Sequence, residues 1–565
     1  MFLRRSLVSI LLMTAACSGS TGSSGSSGAT TTTSGATTSG ASSGNSTASG
    51  STTSSTATTG TSGASTGSST GSVSSSSGST GGTPITGDAV ATYVPLDGGY
   101  VEGDAGWINR NNDLSQLSIA GMVVLADAGY QSLDGVGASD GTFTIDGVPQ
   151  GASYLVFLND YTGVLTSARV LDLGYVVGGR PDDEQLAYGQ GLSVAVNVTG
   201  IQPIDVSQEL VEAIAPNDAF YNFDFQYPFA PADGGLASAL VGSADWSTLN
   251  EYSNPVGVDP THGDALYISQ LVTVDAGDNG ALSLRSLVGF ADLTGASIGA
   301  SGTNTLSGAL APVVGATPFS AILPREMPGA SDLPTGSGPW YGGMNLSAFP
   351  GDVAFGQYSW SADLLYVYNT DFSSSSPWTA AANYANPYPP SWPVVATASL
   401  VSYLKLTVDS RTGGALYVRP QYQYVDLLSS FPSTLTPAIS PPRDVLVNGR
   451  PSNVAQTGIG KTPVITWYAP SLGTATYYSV AVHQVDYDAT AQRVSDYQVG
   501  SFIVPAPTTQ LTLPDGILDN SGATSSSRFY LVVLADNNVG FSSSAPFRSV
   551  LPEESASTVT NLLAP

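Results

Sequence analysis

The stretch Phe529-Tyr530-Leu531-Val532-Val533-Leu534-Ala535-Asp536-Asn537, leading to Gly540 and Ser542, decides the fold class. Phe529, Leu531, Val533 and Ala535 occupy alternate positions, and successive side chains of a strand point to opposite faces, so these four line one inward face. The same period of two recurs upstream in Leu192-Val194-Val196-Val198, Leu266-Ile268, Leu364-Tyr366-Tyr368 and Leu416-Val418, with small or polar residues between. From Pro84 onward Gly, Pro, Asn or Asp breaks such runs about every eight to twelve residues, the spacing of strands and turns. The expected fold class is all-β, with tandem β-sandwich domains. One segment departs: Val206, Leu210, Val211 and Ile214 fall at helical spacing and predict a short helix over 206–214.

The N-terminus reads as an address. Arg4 and Arg5, an apolar run from Leu7 to Met13 and the small residues Thr14-Ala15-Ala16 before Cys17 have the layout of a secretory signal peptide over residues 1–16. That run is far short of the roughly 20 residues that span a bilayer. Thr14-Ala15-Ala16-Cys17 resembles the lipobox of bacterial lipoproteins, departing from it at Thr14, where the family usually has Leu. The resemblance implies that Cys17 is lipidated and becomes the mature N-terminus. With Ser18 next, and not Asp, it implies the outer membrane or cell surface. Cys17 is the only cysteine, so its acylation excludes disulfides, thiolate zinc sites and cysteine nucleophiles.

Residues 18–82 are Ser, Thr, Gly and Ala, with Asn45 and Val73 the exceptions. Such a stretch buries too little apolar surface to fold. Residues 17–83 are therefore expected to be a disordered linker with an r.m.s. span of roughly 45 Å. The formal charge is −27, becoming −29 without the signal peptide. A chain this acidic repels nucleic acid and anionic lipid, so nucleic acid is not an expected partner.

Two modules carry family resemblances. Residues 84–178 contain Asp140-Gly141-Thr142-Phe143 and Gly147-Val148-Pro149-Gln150-Gly151 before Tyr154-Leu155-Val156, which looks like a carboxypeptidase regulatory-like or transthyretin-like β-sandwich. Asp140-Gly141 reads as a tight turn, and Gly147 and Gly151 permit positive φ. Residues 441–552 resemble a fibronectin type III domain, from Pro441-Pro442 through Val464-Ile465-Thr466-Trp467 to Tyr478-Val480-Val482 and the alternation at Phe529. Phe529 stands where that family has its corner tyrosine, leaving Tyr530 to supply the hydroxyl. Residues 553–565 read as a C-terminal tail. The intervening 179–440 carry no resemblance and read as one or two sandwiches, with long loops over Pro324–Pro350 and Ser373–Pro393.

Those loops carry Trp340, Trp378 and Trp392, the expected ligand-binding residues of a loop-built face for a protein or polysaccharide. No catalytic, cofactor or metal residues are expected. The two histidines, His262 and His483, read as a turn residue and an outward strand residue. Asp275-Ala276-Gly277-Asp278-Asn279-Gly280 and Asp182-Asp183-Glu184 offer oxygen ligands but lack EF-hand spacing. The sequence thus implies a surface-anchored, non-catalytic lipoprotein serving adhesion, scaffolding or ligand binding. Its rival is an extracellular polysaccharide-directed hydrolase with its catalytic unit in 179–440.

Overall fold

A computed structural model describes residues 83–565 with interruptions, the longest at 95–107, 179–191, 230–237, 247–256 and 351–360. Cys17 and the Ser/Thr/Gly-rich stretch lie outside the described residues. The described chain is all-β, with several sheets and short 3₁₀ turns.

The C-terminal module is a two-sheet sandwich. Arg450–Pro451, Arg443–Val447, Val464–Tyr468 and Gln510–Thr512 form one sheet. Arg493–Pro505, Tyr477–Asp488, Arg528–Asp536 and Glu553–Val559 form the other. Trp467 is buried between them and meets Tyr478 edge-on, with centroids 5.3 Å apart. Phe529, Leu531, Val533 and Ala535 all face this core, at 1% exposure or less. The Tyr530 hydroxyl does not make a corner bond to backbone; it donates to Asp496 Oδ2 at 2.8 Å. In place of a tail, Glu553–Val559 is a full strand of the sandwich, and Leu563–Ala564 is a short buried strand beyond it, paired with Gln456–Thr457. Its Glu-Glu-Ser-Ala-Ser-Thr-Val composition hides it from a hydrophobic reading. It is held by backbone bonds on both sides and needs little apolar content.

Residues 179–440 contain two sandwiches. In the first, Leu240–Asp245, Ser193–Thr199 and Asn304–Ala309 face Phe220–Asn222, Leu210–Ala215, Leu266–Asp275 and Leu282–Leu293. Val194, Val196, Val198, Phe225 and Trp246 fill its core. In the second, Thr317–Leu323 and Trp378–Tyr384 oppose a sheet of Ala362–Asn369, Tyr341–Ala348, Val394–Val401 and Gln421–Leu427. The expected helix over 206–214 is absent: 204–209 lie outside the described residues, and Leu210–Ala215 is a strand. Both faces of that strand are buried, Val211 and Ala213 in one core and Ile214 in another. A strand buried on both sides reads as an unbroken apolar run that helical spacing also fits.

In the N-terminal module the hairpin turn is built as the sequence implies. Asp140 Oδ1 accepts from the Thr142 backbone and hydroxyl, and Gly141, Gly147 and Gly151 have φ of 84°, 83° and 76°. Phe143 and Ile145 face the core together.

The sandwiches are joined by backbone. Thr162–Thr166 of the N-terminal module pairs in parallel with Ser501–Ile503 of the C-terminal one. At the opposite edge, Glu553–Val559 pairs with Gln421–Leu427. Leu282–Leu293 then links the two middle sandwiches through Ala362–Asn369. One ladder thus runs from Val170–Asp172 to Phe220–Asn222, and it takes the modules in the order first, fourth, third, second. Phe157 packs edge-on against Phe502 at 6.1 Å, and the Tyr130 hydroxyl donates to Thr512 O at 2.6 Å across the same junction.

Removing residues 553–565 is expected to strip hydrogen-exchange protection from Tyr422–Val425 and Val532–Asp536 together, since both pair with the missing strand. Protection lost only in Val532–Asp536 would show that the strand does not join the two sandwiches.

Candidate functional site

The tryptophan face expected from sequence does not form. Trp378 and Trp392 are core residues, 7% and 4% exposed, and Trp340 is half-buried against the same core. Trp378 lies in the strand Trp378–Tyr384; a Cβ on Gly342 would fall 2.6 Å from its Nε1, so the glycine makes its seat. Trp392 stacks on Tyr388 at 5.2 Å and meets Tyr267 edge-on at 5.3 Å, where the two middle sandwiches pack together. The Pro/Gly-rich surroundings suggested loops, but these rings fill a junction. Trp392→Ala should cost about 3–5 kcal/mol in urea unfolding, the range for emptying a buried aromatic site. A cost below about 1 kcal/mol would place the ring outside the core.

Neither histidine acquires a nucleophile among the described residues. His262 ends a 3₁₀ turn capped by Asp259, whose Oδ2 lies 2.8 Å from its Nδ1. The Thr261 hydroxyl and backbone, then His262, hold the Asp259 carboxyl down to about 2. His483 lies 3.1 Å from Asp496 Oδ1 and stacks on Tyr530, which donates to the other oxygen of the same carboxylate. Of the oxygen-rich stretch 275–280 only Asp275, the end of the strand Leu266–Asp275, is described; 276–280 and 182–184 lie outside the described residues.

Two carboxyl pairs sit at the junctions, and sequence reasoning missed both. Glu212 Oε2 accepts from Ser269 Oγ at 3.2 Å and from the Asp363 backbone at 3.3 Å. Asn345 Nδ2 and Ser347 Oγ both donate to Asp363 Oδ1, at 3.2 Å. Burial of two neighbouring carboxyls whose charges oppose each other favours a proton shared by the pair. Burial, then the Asp363 charge, pushes Glu212 well above the usual carboxylate range; burial also raises Asp363. Asp536 is raised by burial and by Glu553, to which it is bonded at the other junction. Its neighbour Glu554 accepts from the Tyr422 hydroxyl at 2.8 Å and from the Ala438 backbone. Glycoside hydrolysis needs carboxyls about 5–10 Å apart across a cleft. Glu212, Asp363, Asp536 and Glu554 are buried, and Glu212 and Glu554 accept from backbone across the junctions, so these acids hold modules together.

A carboxyl raised on folding stabilises below its usual value, 4.5 for Glu212, and that contribution is lost as pH rises through the raised value. In Glu212→Gln an amide donates to Asp363 at every pH. The native melting temperature should therefore fall relative to this variant as pH rises above the usual carboxylate range. Parallel curves would show that no proton is shared.

The strongest exposed constellation is on the hairpin of Leu404–Asp409 and Gly414–Val418. Leu404, Leu406 and Val418 face inward onto Val485, Tyr530 and Val559 of the C-terminal sandwich. The opposite face carries Tyr403, Lys405, Tyr417 and Arg419. Lys405 stands across from Tyr417 in register, and the Arg419 guanidinium lies 5.3 Å from the Tyr403 ring centre. Tyr341 meets Tyr403 edge-on at 5.0 Å. Tyr417 is 59% exposed and Tyr341 37%. A signal was present: Tyr403-Leu404-Lys405 and Tyr417-Val418-Arg419 both place an aromatic and a cation two apart, and Lys405 is one of only two lysines in the chain.

No family model and no curated protein matches this chain. Similar solved structures include the FN1–FN3 domains of chicken CNTN1, 9% identical over 63% of this chain and 89% of that one, with a TM-score of 0.11. Another is a tetra-tandem repeat from the extending region of a large adhesion protein, 10% identical over 84% of this chain and 100% of that one, at 0.10. Scores this low carry nothing about function, and the fold rests on the strand order above.

Proposed function

We propose that this chain is a surface protein of adhesive or scaffolding character, exported and held to a membrane by acyl chains on Cys17, without a catalytic role. The observation that carries this reading is the continuous ladder through four sandwiches, which makes them one stiff body. Independent modules joined by linkers move freely, whereas a continuous sheet fixes their relation. Among the described residues the buried carboxyls and both histidines are engaged in holding structure. The Ser/Thr/Gly stretch serves as the tether between that body and the membrane. Two or more acyl chains, at about 0.8 kcal/mol per buried methylene, make the attachment lasting.

Detergent partitioning and intact-mass measurement of the native protein test the anchor against a Cys17→Ala variant. The expected result is a polypeptide starting at Cys17 with added acyl mass, and a variant that leaves the detergent phase. A polypeptide cleaved elsewhere and carrying no lipid would make the protein freely secreted.

A further inference from the structure

We propose that the outer face of the Leu404–Val418 hairpin binds an anionic polysaccharide, one bearing carboxylates on its pyranose rings. This rests on the reading of the chain as an exported surface protein and names the ligand class. The chain has 43 acidic residues against 16 basic ones, so most of its surface repels polyanions. On this hairpin two of the few cations stand side by side. The other lysine, Lys461, is engaged by Asp519, whereas Lys405 projects into solvent beside an exposed tyrosine ring. The face is therefore complementary in charge to an anion, within a body that is not.

The rings select the kind of anion. Tyr403 lies beneath Arg419 and holds the guanidinium in place. Tyr417 and Tyr341 remain exposed at the two ends of the patch and offer aromatic faces to the apolar C–H side of a sugar. Ring and charge alternate across the two strands, with cross-strand neighbours about 5 Å apart at Cβ. A polymer of uronic acid presents the same alternation of ring and carboxylate. A single polysaccharide chain is also thin enough to touch this patch alone, while the acidic remainder is screened beyond about 8 Å at physiological salt. A membrane surface or a duplex would meet that remainder at close range. The hairpin itself is fixed, because its inner face belongs to the core around Val485 and Tyr530.

The test is retardation of the full-length chain, in detergent, in gels containing polygalacturonate. Fully methyl-esterified polygalacturonate, polyglutamate and phosphatidylglycerol vesicles serve as comparison probes. Binding to polygalacturonate is expected. It should fall about tenfold or more in Lys405→Ala and in Arg419→Ala, and vanish in the double reversal to Glu. Tyr417→Ala should weaken polygalacturonate binding, and the methyl ester should bind about tenfold less tightly than the acid form. Lys405 and Tyr417 are exposed, so thermal melts of their variants should match the native chain, and a melt of Arg419→Ala that matches it shows that loss of binding there is not loss of fold. No binding to polygalacturonate, equal binding of its ester, or unchanged binding in the variants would overturn the proposal. So would tighter binding of polyglutamate or vesicles with the same dependence on Lys405 and Arg419. Because no membrane is involved, loss of the Cys17 anchor would leave every one of these outcomes in place.

Discussion

A sheet edge exposes a row of backbone N–H and C=O groups, and each buried group left unpaired costs about 1–3 kcal/mol. The C-terminal sandwich has one sheet with two such edges, and both are occupied by other modules. Ser501–Ile503 pairs with Thr162–Val164 on one side, and Glu553–Glu554-Ser555-Ala556 pairs with Tyr422–Val425 on the other. Once those edges are filled, the relation of the first and third modules to the fourth is set by hydrogen-bond register and not by side-chain packing alone. The remaining contacts follow from that alignment. Phe157 reaches Phe502, Ile503 joins the N-terminal core, and Tyr130 reaches Thr512 across 382 residues of sequence.

Edge filling also explains what lies at the junctions. Where sheets from two modules meet at an angle, some backbone groups have no strand opposite them. The Asp363 N–H is one, and the Glu212 carboxyl takes the place of a carbonyl. A buried carboxylate is costly unless paired and hydrogen-bonded. Here the partner is a second carboxyl with a shared proton, set among Ser269, Ser347 and Asn345. Such a junction is apolar at its aromatic rim, where Tyr267, Phe290, Tyr388 and Trp392 interlock, and polar at its centre. The polar centre specifies one docking geometry, since a shifted interface would leave both acids unpaired.

The fold class was legible because alternation reports a half-buried strand directly, as in Ser193–Thr199, where every second residue is buried. The turn at Asp140-Gly141 was legible for a similar reason: its chemistry is local. What could not be read was whatever depends on pairing across modules. The strand Glu553–Val559 has no apolar periodicity, since its place is set by backbone bonds on both edges. Leu210–Ala215 imitates a helix because both its faces are buried. The tryptophans misled by their company, as the serines and prolines around Trp378 and Trp392 suggested loops while the rings themselves went into the core. The hairpin face was written in Tyr403-x-Lys405 and Tyr417-x-Arg419. Nothing short of the register between the two strands shows that these make one patch.

The scarcity of cations ties the interior to the surface. A globular chain with balanced charges can neutralise buried acids with arginine or lysine, and a broken pair then leaves a charge stranded. With 16 basic residues against 43 acidic ones, this chain sets Glu212 and Asp536 beside other carboxyls, with Arg285 acting on Asp363 at the first junction, and burial pushes both acids toward the protonated form. The raised acids set the direction of the pH response: acid reinforces the junctions and alkali loosens them. The scarcity of cations also makes any cation cluster on the surface informative. In a basic protein Lys405 and Arg419 would be two charges among many. In this one they are two cations on one face of a hairpin, set among the rings of Tyr403, Tyr417 and Tyr341.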